Sequence, residues 1–338
     1  MPAVLEETDL DGLFLGRVWN AGEAGPSVVT LRDGMVMDIT SPEAPMVRDI
    51  CELDDPAHYV RSAPGTALGT LAELSDAPAG AANHTHLLAP CDLQAIKACG
   101  VTFANSMVER VIEEQAGGDP AKAEAVRSRV TAAIGDSLKN IRPGSDEAAR
   151  VKQALIAEDL WSQYLEVGIG PDAEVFSKAQ VLSSVGPGAK VGLHPVSKWN
   201  NPEPEVVLAV ASSGRIVGAT LGNDVNLRDV EGRSALLLPE AKDNNASCSI
   251  GPMIRLFDGH YSLDHVRRAE LELRVDGPDG FVLHGHSSVA EISRDPEDLV
   301  RQTVGPHHQY PDGFMLFLGT LFAPTEDRDL PGEGFTHK

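Results

Sequence analysis

The pattern of apolar and polar positions predicts two neighbouring strands near the middle of the chain. The apolar run from Val206 to Val210 follows Glu203 and Glu205, and a second run, from Ile216 to Leu221, ends shortly before Asp224. Residues i and i+2 of a strand point to the same face, so the two glutamates are expected to project together. An antiparallel return of the second run brings Asp224 beside them.

A cluster of three carboxylates has a chemical consequence. Like charges at one spot repel each other strongly unless a cation neutralises them. Oxygen ligands with no cysteine or histidine nearby suit Mg²⁺ better than zinc, with Mn²⁺ as a possible substitute. The sequence therefore predicts a metal site at Glu203, Glu205 and Asp224. The alternative is that the two glutamates form the polar face of a surface strand.

Residues 1–86 are predicted to form a small N-terminal α/β domain. Strands are predicted at 13–18, 27–31 and 35–39, and helices at 43–53 and 67–74. Arg32-Asp33-Gly34 is typical of a hairpin turn. A linker rich in Ala, Gly and Pro at 75–86 precedes the main domain, 87–338. Its two histidines, His84 and His86, have no accompanying ligands, which favours local hydrogen bonding over a metal site.

A helical insertion is predicted at about 116–168 within the main domain. Asp119-Pro120 is typical of a helix start, and apolar residues then recur at helical spacing. Arg142-Pro-Gly144 interrupts the pattern, and Ser145 is predicted to cap a second helix. Such a hairpin of helices suits a lid, a dimer contact or an outer scaffold, and the sequence leaves these three open.

Composition excludes some partners. The 338 residues include 50 acidic and 28 basic side chains, so the net charge of −22 argues against nucleic acid and anionic membranes. The four cysteines form no C-x-x-C pair and indicate no disulfide framework. No apolar signal core or membrane-length run is present. We therefore expect a cytoplasmic location.

The motifs around the glutamates resemble those of the fumarylacetoacetate hydrolase superfamily. That family has an N-x-E-x-E strand, a G-x-x-x-x-N-D-x-x-x-R-D stretch, and a lysine shortly before G-P. The corresponding segments here are Asn201-Pro-Glu203-Pro-Glu205, residues 218–229, and Lys242 before Gly251-Pro252. The similarity extends from about Leu87 to Pro324. The N-P-E-P-E form is most similar to the 2-keto-3-deoxy-pentonate dehydratases of this superfamily.

The resemblance implies a fold, a metal and an assembly. The expected fold class is α+β, with a mixed β-sheet (β-roll) main domain. Glu203, Glu205 and Asp224 are implied to hold Mg²⁺, which chelates the 2-oxo acid end of a substrate and stabilises an enolate. We also expect a homo-oligomer, either a dimer or a tetramer. Past Thr320 the family continues with a G-D-x-V strand, for which this sequence offers no match before Lys338.

The implied reaction is loss of water from a 2-keto-3-deoxy-pentonate, derived from D-xylonate or D-arabinonate, to give 2-oxoglutarate semialdehyde. Lys242, Lys178 and Glu109 are the implied catalytic residues for proton transfer. Ser106, Arg228 and Thr320 are the implied substrate-binding residues, with the Thr320 hydroxyl on the substrate carboxylate.

Ser106 decides between this reaction and its alternatives. The hydrolases of the family carry a histidine where this chain has Ser106, and that histidine helps to activate water. Serine is a poor base unaided, which favours dehydration over a C–C hydrolase or a decarboxylase of 2-oxo acids. Two further alternatives remain open. Ser106 and Glu109 also fit a helix cap and first-turn acid, and the chain also fits a small-acid binding protein without activity.

Overall fold

The computed structural model describes residues 12–116, 122, 141–157 and 161–322. The strands are β1 (Phe14–Asn20), β2 (Gly25–Arg32), β3 (Met35–Asp38), β4 (Thr66–Thr70), β5 (His86–Leu87), β6 (Ala95–Gly100), β7 (Glu174–Ala179), β8 (Asn200–Asn201), β9 (Pro204–Val210), β10 (Ile216–Asp224), β11 (Asn226–Leu227), β12 (Cys248–Leu256), β13 (Glu270–Asp276), β14 (Val282–Ser288) and β15 (Phe314–Phe317). The helices are α1 (Val47–Glu52), α2 (Pro56–Ser62), α3 (Leu71–Asp76), α4 (Ala104–Ala116), α5 (Asp146–Ala157), α6 (Gln163–Ile169), α7 (Arg228–Glu231), α8 (Leu238–Lys242), α9 (Leu263–Val266) and α10 (Pro296–Thr303).

A large mixed sheet forms the frame, in the order β4-β3-β2-β1-β12-β10-β9-β15-β6-β7, with β5 paired to β1. Most pairs are antiparallel, but β15 runs parallel to β6 on one side and antiparallel to β9 on the other. β8 pairs with β11, and β13 pairs with β14, in two smaller sheets. The predicted α+β class with a mixed sheet is confirmed.

The N-terminal strands join this sheet through β1. Phe14 and Leu15 pair with β12, whereas the rest of β1 pairs with β2 and β5. The predicted turn between β2 and β3 is present, with φ of 51° at Asp33 and 75° at Gly34. Two consecutive residues in the left-handed region match the twist of hairpin strands. The division into domains at residue 86 stays a prediction.

One helix prediction in this region was wrong. The segment 67–74 was expected to be helical throughout, but β4 runs to Thr70 and α3 begins at Leu71. Thr70 Oγ1 accepts a hydrogen bond from the Glu73 amide at 3.2 Å, and the Glu73 carboxylate accepts one from the Thr70 amide at 2.8 Å. This capping box fixes the start of α3 at Leu71.

Helices α4, α5 and α6 pack together beside the sheet. Met107, Val111 and Ile112 recur on one face of α4 and are fully buried against apolar residues that include Leu155 of α5 and Leu165 of α6. The hydroxyl of Ser145 accepts a hydrogen bond from the Ala148 amide at 3.1 Å, as the predicted cap requires. The predicted helix start at Asp119-Pro120 lies outside the described residues.

The two histidines of the predicted linker make local contacts. The His86 ring accepts a hydrogen bond from the Gly80 amide at 3.0 Å and lies 2.8 Å from the carbonyl oxygen of His84. His284 and His286 lie exposed on β14. In the part of the chain that is described, no helix is long and apolar enough to cross a membrane.

Candidate metal centre and its surroundings

The β9–β10 hairpin brings the three acids together. Gly222 lies opposite Glu205, and the Asp224 amide donates a hydrogen bond of 2.9 Å to the carbonyl oxygen of Glu203. One carboxylate oxygen from each of Glu203, Glu205 and Asp224 lies within 4.8 Å of the other two. All three side chains are buried. They converge as the strand pattern predicted.

Two buried lysines contact this cluster. Lys242 Nζ, from the end of α8, lies 2.5 Å from Glu203 Oε2 and 3.0 Å from Asp224 Oδ2. Lys178 Nζ, from β7, lies 3.0 Å from Asp224 Oδ1. It also donates to the carbonyl oxygens of Val225 at 2.9 Å and Lys242 at 2.5 Å. Lys178 therefore connects the end of β10, at Asp224 and Val225, to the end of α8, at Lys242.

The electrostatics of the cluster follow from burial and these contacts. Burial alone disfavours every charged form. For Asp224, the two lysines outweigh burial and lower the pKa of its carboxyl. For Glu205, burial is reinforced by Asp224 and Glu203, and its pKa is raised well above the usual value. For Lys242, Asp224 and Glu203 outweigh burial, so the pKa of the ammonium is raised and the group stays protonated.

Glu205 is oriented by the backbone after β15. The Gly319 amide donates a 2.7 Å hydrogen bond to Glu205 Oε2. Gly319 has φ of 94°, and a Cβ at this position would lie 2.0 Å from Thr102 Oγ1. Only glycine tolerates both conditions, so the sequence Gly319-Thr320 places this amide where Glu205 needs it.

A cavity of about 30 Å³ lies at the centre of the cluster. Its lining includes five carboxyl groups (Glu174, Glu203, Glu205, Asp224 and Glu231) and two cations (Arg110 and Lys242). With Lys178 beneath, five carboxylates face three cations, which leaves two negative charges when all are ionised. Oxygen donors with a net charge of −2 fit one hard divalent cation. The residues present therefore fit an acidic metal site.

Glu174 differs from the other carboxyls of the cavity. It lies at the start of β7, and the absence of a side chain at Gly100 makes room for it, since a Cβ there would lie 2.2 Å from Glu174 Oε2. No described residue donates a hydrogen bond to its carboxylate. Burial, and then the charge of Glu231, raise the pKa of Glu174 to about 7. Such a group can accept and return a proton near neutral pH.

The other predicted site residues fall into three positions. Thr320 lines the cavity, and its Oγ1 accepts a hydrogen bond of 3.0 Å from the Phe322 amide, so the hydroxyl hydrogen can point elsewhere. Arg228 and Lys178 are buried outside the lining, and the Arg228 guanidinium carbon lies 4.7 Å from the Trp199 ring centroid. Ser106 and Glu109 lie on α4, but their side chains are outside the described part of the structure.

Sequence reasoning missed three charged residues of this lining, Arg110, Glu174 and Glu231. Arg110 immediately follows Glu109, and Glu231 ends the helix that begins at Arg228, so both stood beside residues already singled out. Glu174 stands four residues before Lys178. The available signal was a charged residue next to a motif, which is weak without knowledge of which strands adjoin.

Comparisons with known proteins identify two relatives by sequence. No family model matches the chain. A relative from Haloferax volcanii, named "Probable 2-keto-3-deoxyxylonate dehydratase", is 26% identical over 299 residues, covering 88% of this chain and 86% of the relative. A second, "2-dehydro-3-deoxy-D-arabinonate dehydratase" from Saccharolobus solfataricus, is 32% identical over 163 residues, covering 47% of this chain and 52% of the relative.

Solved structures share the fold. A 2-keto-3-deoxy-D-arabinonate dehydratase complexed with magnesium and 2,5-dioxopentanoate has a TM-score of 0.62 at 18% identity, over 92% of this chain and 89% of that one. A fumarylacetoacetate hydrolase from Exiguobacterium antarcticum has a TM-score of 0.52 at 16% identity, over 91% of this chain and 86% of that one.

The chain thus shares the fold of a solved fumarylacetoacetate hydrolase, and the resemblance predicted from the sequence motifs is confirmed. Both relatives in the sequence comparison carry the names of 2-keto-3-deoxy sugar acid dehydratases.

Proposed function

We propose that the protein is a Mg²⁺-dependent hydro-lyase that converts a 2-keto-3-deoxy-pentonate to 2-oxoglutarate semialdehyde. The observation that carries the proposal is the convergence of Glu203, Glu205 and Asp224 in one cavity, which the carboxyl of Glu174 also lines. The names of the two sequence relatives support the same reaction and substrate class.

Glu203, Glu205 and Asp224 are the residues that would hold the metal. When bound, the metal supplies a positive charge that polarises the 2-oxo acid and favours loss of its C3 proton. The chain supplies the remaining groups. Thr320 lines the cavity with a hydroxyl hydrogen that can be donated to the substrate carboxylate.

Glu174 is the best candidate for the base in this geometry. The first step removes a proton from C3, and the C4 hydroxyl then leaves as water once it has received a proton. Glu174 has a pKa of about 7 and no competing donor among described residues, so its ionised form is free to accept the C3 proton. Protonated Glu174 can then return that proton to the departing C4 hydroxyl, which leaves as water and gives a C3–C4 double bond. Transfer of a proton from C5 to C3 and tautomerisation of the resulting C4–C5 enol then give the semialdehyde.

Lys242 suits a donor better than a base in this arrangement. Its pKa is raised by Asp224 and Glu203, so its ammonium carries no lone pair for the C3 proton. It can stabilise developing negative charge on the substrate by hydrogen bonding. Lys178 makes three close contacts and lies outside the cavity lining, which suits a structural support for Asp224 and Lys242.

The proposal is tested by product analysis. Purified protein with Mg²⁺ is incubated with 2-keto-3-deoxy-xylonate and, separately, 2-keto-3-deoxy-arabinonate, and the products are followed by NMR. The semialdehyde should form, chelation should stop it, and Glu174→Gln should lower turnover about a hundredfold or more. Pyruvate as the product would refute dehydration and favour carbon–carbon cleavage. The homo-oligomeric state and cytoplasmic location stay predictions.

A further inference from the structure

Helix α4 places one arginine between two buried acids of the cavity. Arg110 Nη2 lies 3.1 Å from Glu203 Oε1, and Arg110 Nη1 lies 3.0 Å from Glu231 Oε2. The side chains are only 15% exposed for Arg110, 6% for Glu203 and 7% for Glu231. In such surroundings, the charge-assisted hydrogen bonds are stronger and better defined than on the protein surface.

Asn226 closes these contacts into a ring. Its side-chain nitrogen donates to Glu231 Oε2 at 2.6 Å and to Glu203 Oε1 at 3.1 Å. Glu203 Oε1 therefore accepts from both Arg110 and Asn226, whereas Glu203 Oε2 faces Lys242 at 2.5 Å. One oxygen of the Glu203 carboxylate, Oε1, therefore faces the ring of Arg110, Asn226 and Glu231. The other oxygen, Oε2, faces Lys242.

We propose that Arg110 is a positioning residue, which fixes Glu203 so that a single oxygen, Oε2, is presented to the metal. Glu231 holds the guanidinium in the plane that this requires. The inference rests on the proposed metal site but not on the proposed reaction. Arginine suits the task because its planar fork stays charged and binds two carboxylates in a fixed geometry, whereas a lysine ammonium is a point charge without that directionality.

The competing explanations predict different signs. If Arg110 acted only through its charge, its removal would tighten the binding of a divalent cation, because like charges repel at short range. If it only anchored α4, its removal would lower stability and leave metal affinity unchanged. If Arg110 instead orients Glu203, its removal should weaken the binding of the cation. Loss of a residue that orients a metal ligand typically weakens metal binding by about 10- to 100-fold.

The experiment measures Mn²⁺ binding by calorimetry and by the EPR spectrum of bound Mn²⁺, using chelator-treated full-length protein. Arg110→Met should weaken Mn²⁺ binding by about 10- to 100-fold and alter the EPR spectrum, because Glu203 then turns freely. Arg110→Lys, which keeps the charge, should weaken binding in the same direction by about tenfold and carries the test if the Met variant does not fold. Tighter or unchanged binding in both variants overturns the proposal.

Arg294→Met is the matched control. Arg294 is a buried arginine outside the cavity lining, and it donates to the carbonyl oxygens of Val167 in α6 and of Gly170 just after that helix. This variant should lose stability without any change in Mn²⁺ affinity, and a change as large as that of Arg110→Met would overturn the positioning role.

Glu231→Gln tests the second half of the ring. It should weaken Mn²⁺ binding, and in combination with Arg110→Met it should add little, because Glu231 acts through Arg110. Fully additive effects would contradict the ring. Wild-type protein that binds no Mn²⁺ would overturn the metal site together with this inference, whereas normal Mn²⁺ binding without dehydratase activity would refute the proposed function alone.

Discussion

Replacing Glu174 by glutamine should stabilise the protein, and the gain should grow with pH. Burial and the charge of Glu231 raise the pKa of Glu174 from 4.5 to about 7. A carboxyl whose pKa is raised on folding favours the folded state fully below its unfolded pKa, and this contribution is lost as the pH rises through the folded pKa. Above pH 7 the folded protein therefore carries an unfavourable, partly buried charge, which glutamine removes.

The size of the effect follows from the pKa difference. Each pKa unit corresponds to about 1.4 kcal/mol, so Glu174→Gln should raise the free energy of unfolding by up to about 3 kcal/mol at pH 8. At pH 5.5, only one unit above the unfolded pKa, the gain should be about 1 kcal/mol. The difference between the two pH values is better determined than either value alone, because other effects of the substitution cancel.

Urea unfolding of both proteins at pH 5.5 and pH 8, in the presence of a chelator, measures this difference. Glu272→Gln, at an exposed position on β13, is the control and should show no gain that depends on pH. An equal gain for Glu174→Gln at both pH values, or a loss at pH 8, would refute the assignment of a raised pKa. The same variant should lose catalytic turnover, so stability and activity should change in opposite directions.

Three further predictions concern other charges. Lys242→Met should tighten Mn²⁺ binding at least tenfold in calorimetry, because Lys242 occupies oxygens of Glu203 and Asp224 that a metal would use; weaker binding would contradict this competition. Lys178→Met should lower the free energy of unfolding in urea by about 3–5 kcal/mol, since it leaves the buried Asp224 Oδ1 and the carbonyl oxygens of Val225 and Lys242 without their donor. Lys97→Met, at a partly exposed lysine on β6, should cost under about 1 kcal/mol. Because the net charge is −22, thermal unfolding should shift to higher temperature between low salt and about 0.5 M salt, and an unchanged midpoint would be evidence against charge repulsion.

The sequence was most informative where one short segment determines the geometry. Glu203, Glu205 and Asp224 lie on a single hairpin, so strand periodicity and an antiparallel return were enough to predict that they converge. The turn at Asp33-Gly34 was predictable for the same reason, because two residues that tolerate positive φ separate two apolar runs.

Local patterns were insufficient where the partners are far apart in the chain. Arg110 reaches Glu203 across 93 positions, and Glu174 enters the cavity only because β7 lies next to β6 at Gly100. Neither contact leaves a periodic signal. The strand at Thr66–Thr70 was taken for the start of a helix because apolar spacing outweighed the T-x-x-E signal at Thr70 and Glu73, which marks where α3 begins.

The position of β15 has a consequence for how the protein is made. This strand is late in the chain, yet in the sheet it separates β9 from β6 and β7. In a nascent chain that has emerged only as far as α10, no strand yet lies between β9, which carries Glu205, and the β6–β7 pair, which carries Glu174, so the cavity between them is incomplete. Pairing across such long sequence distances is slow. We therefore expect the acidic centre to be completed late in folding, after the β9–β10 hairpin has been synthesised and has had time to form.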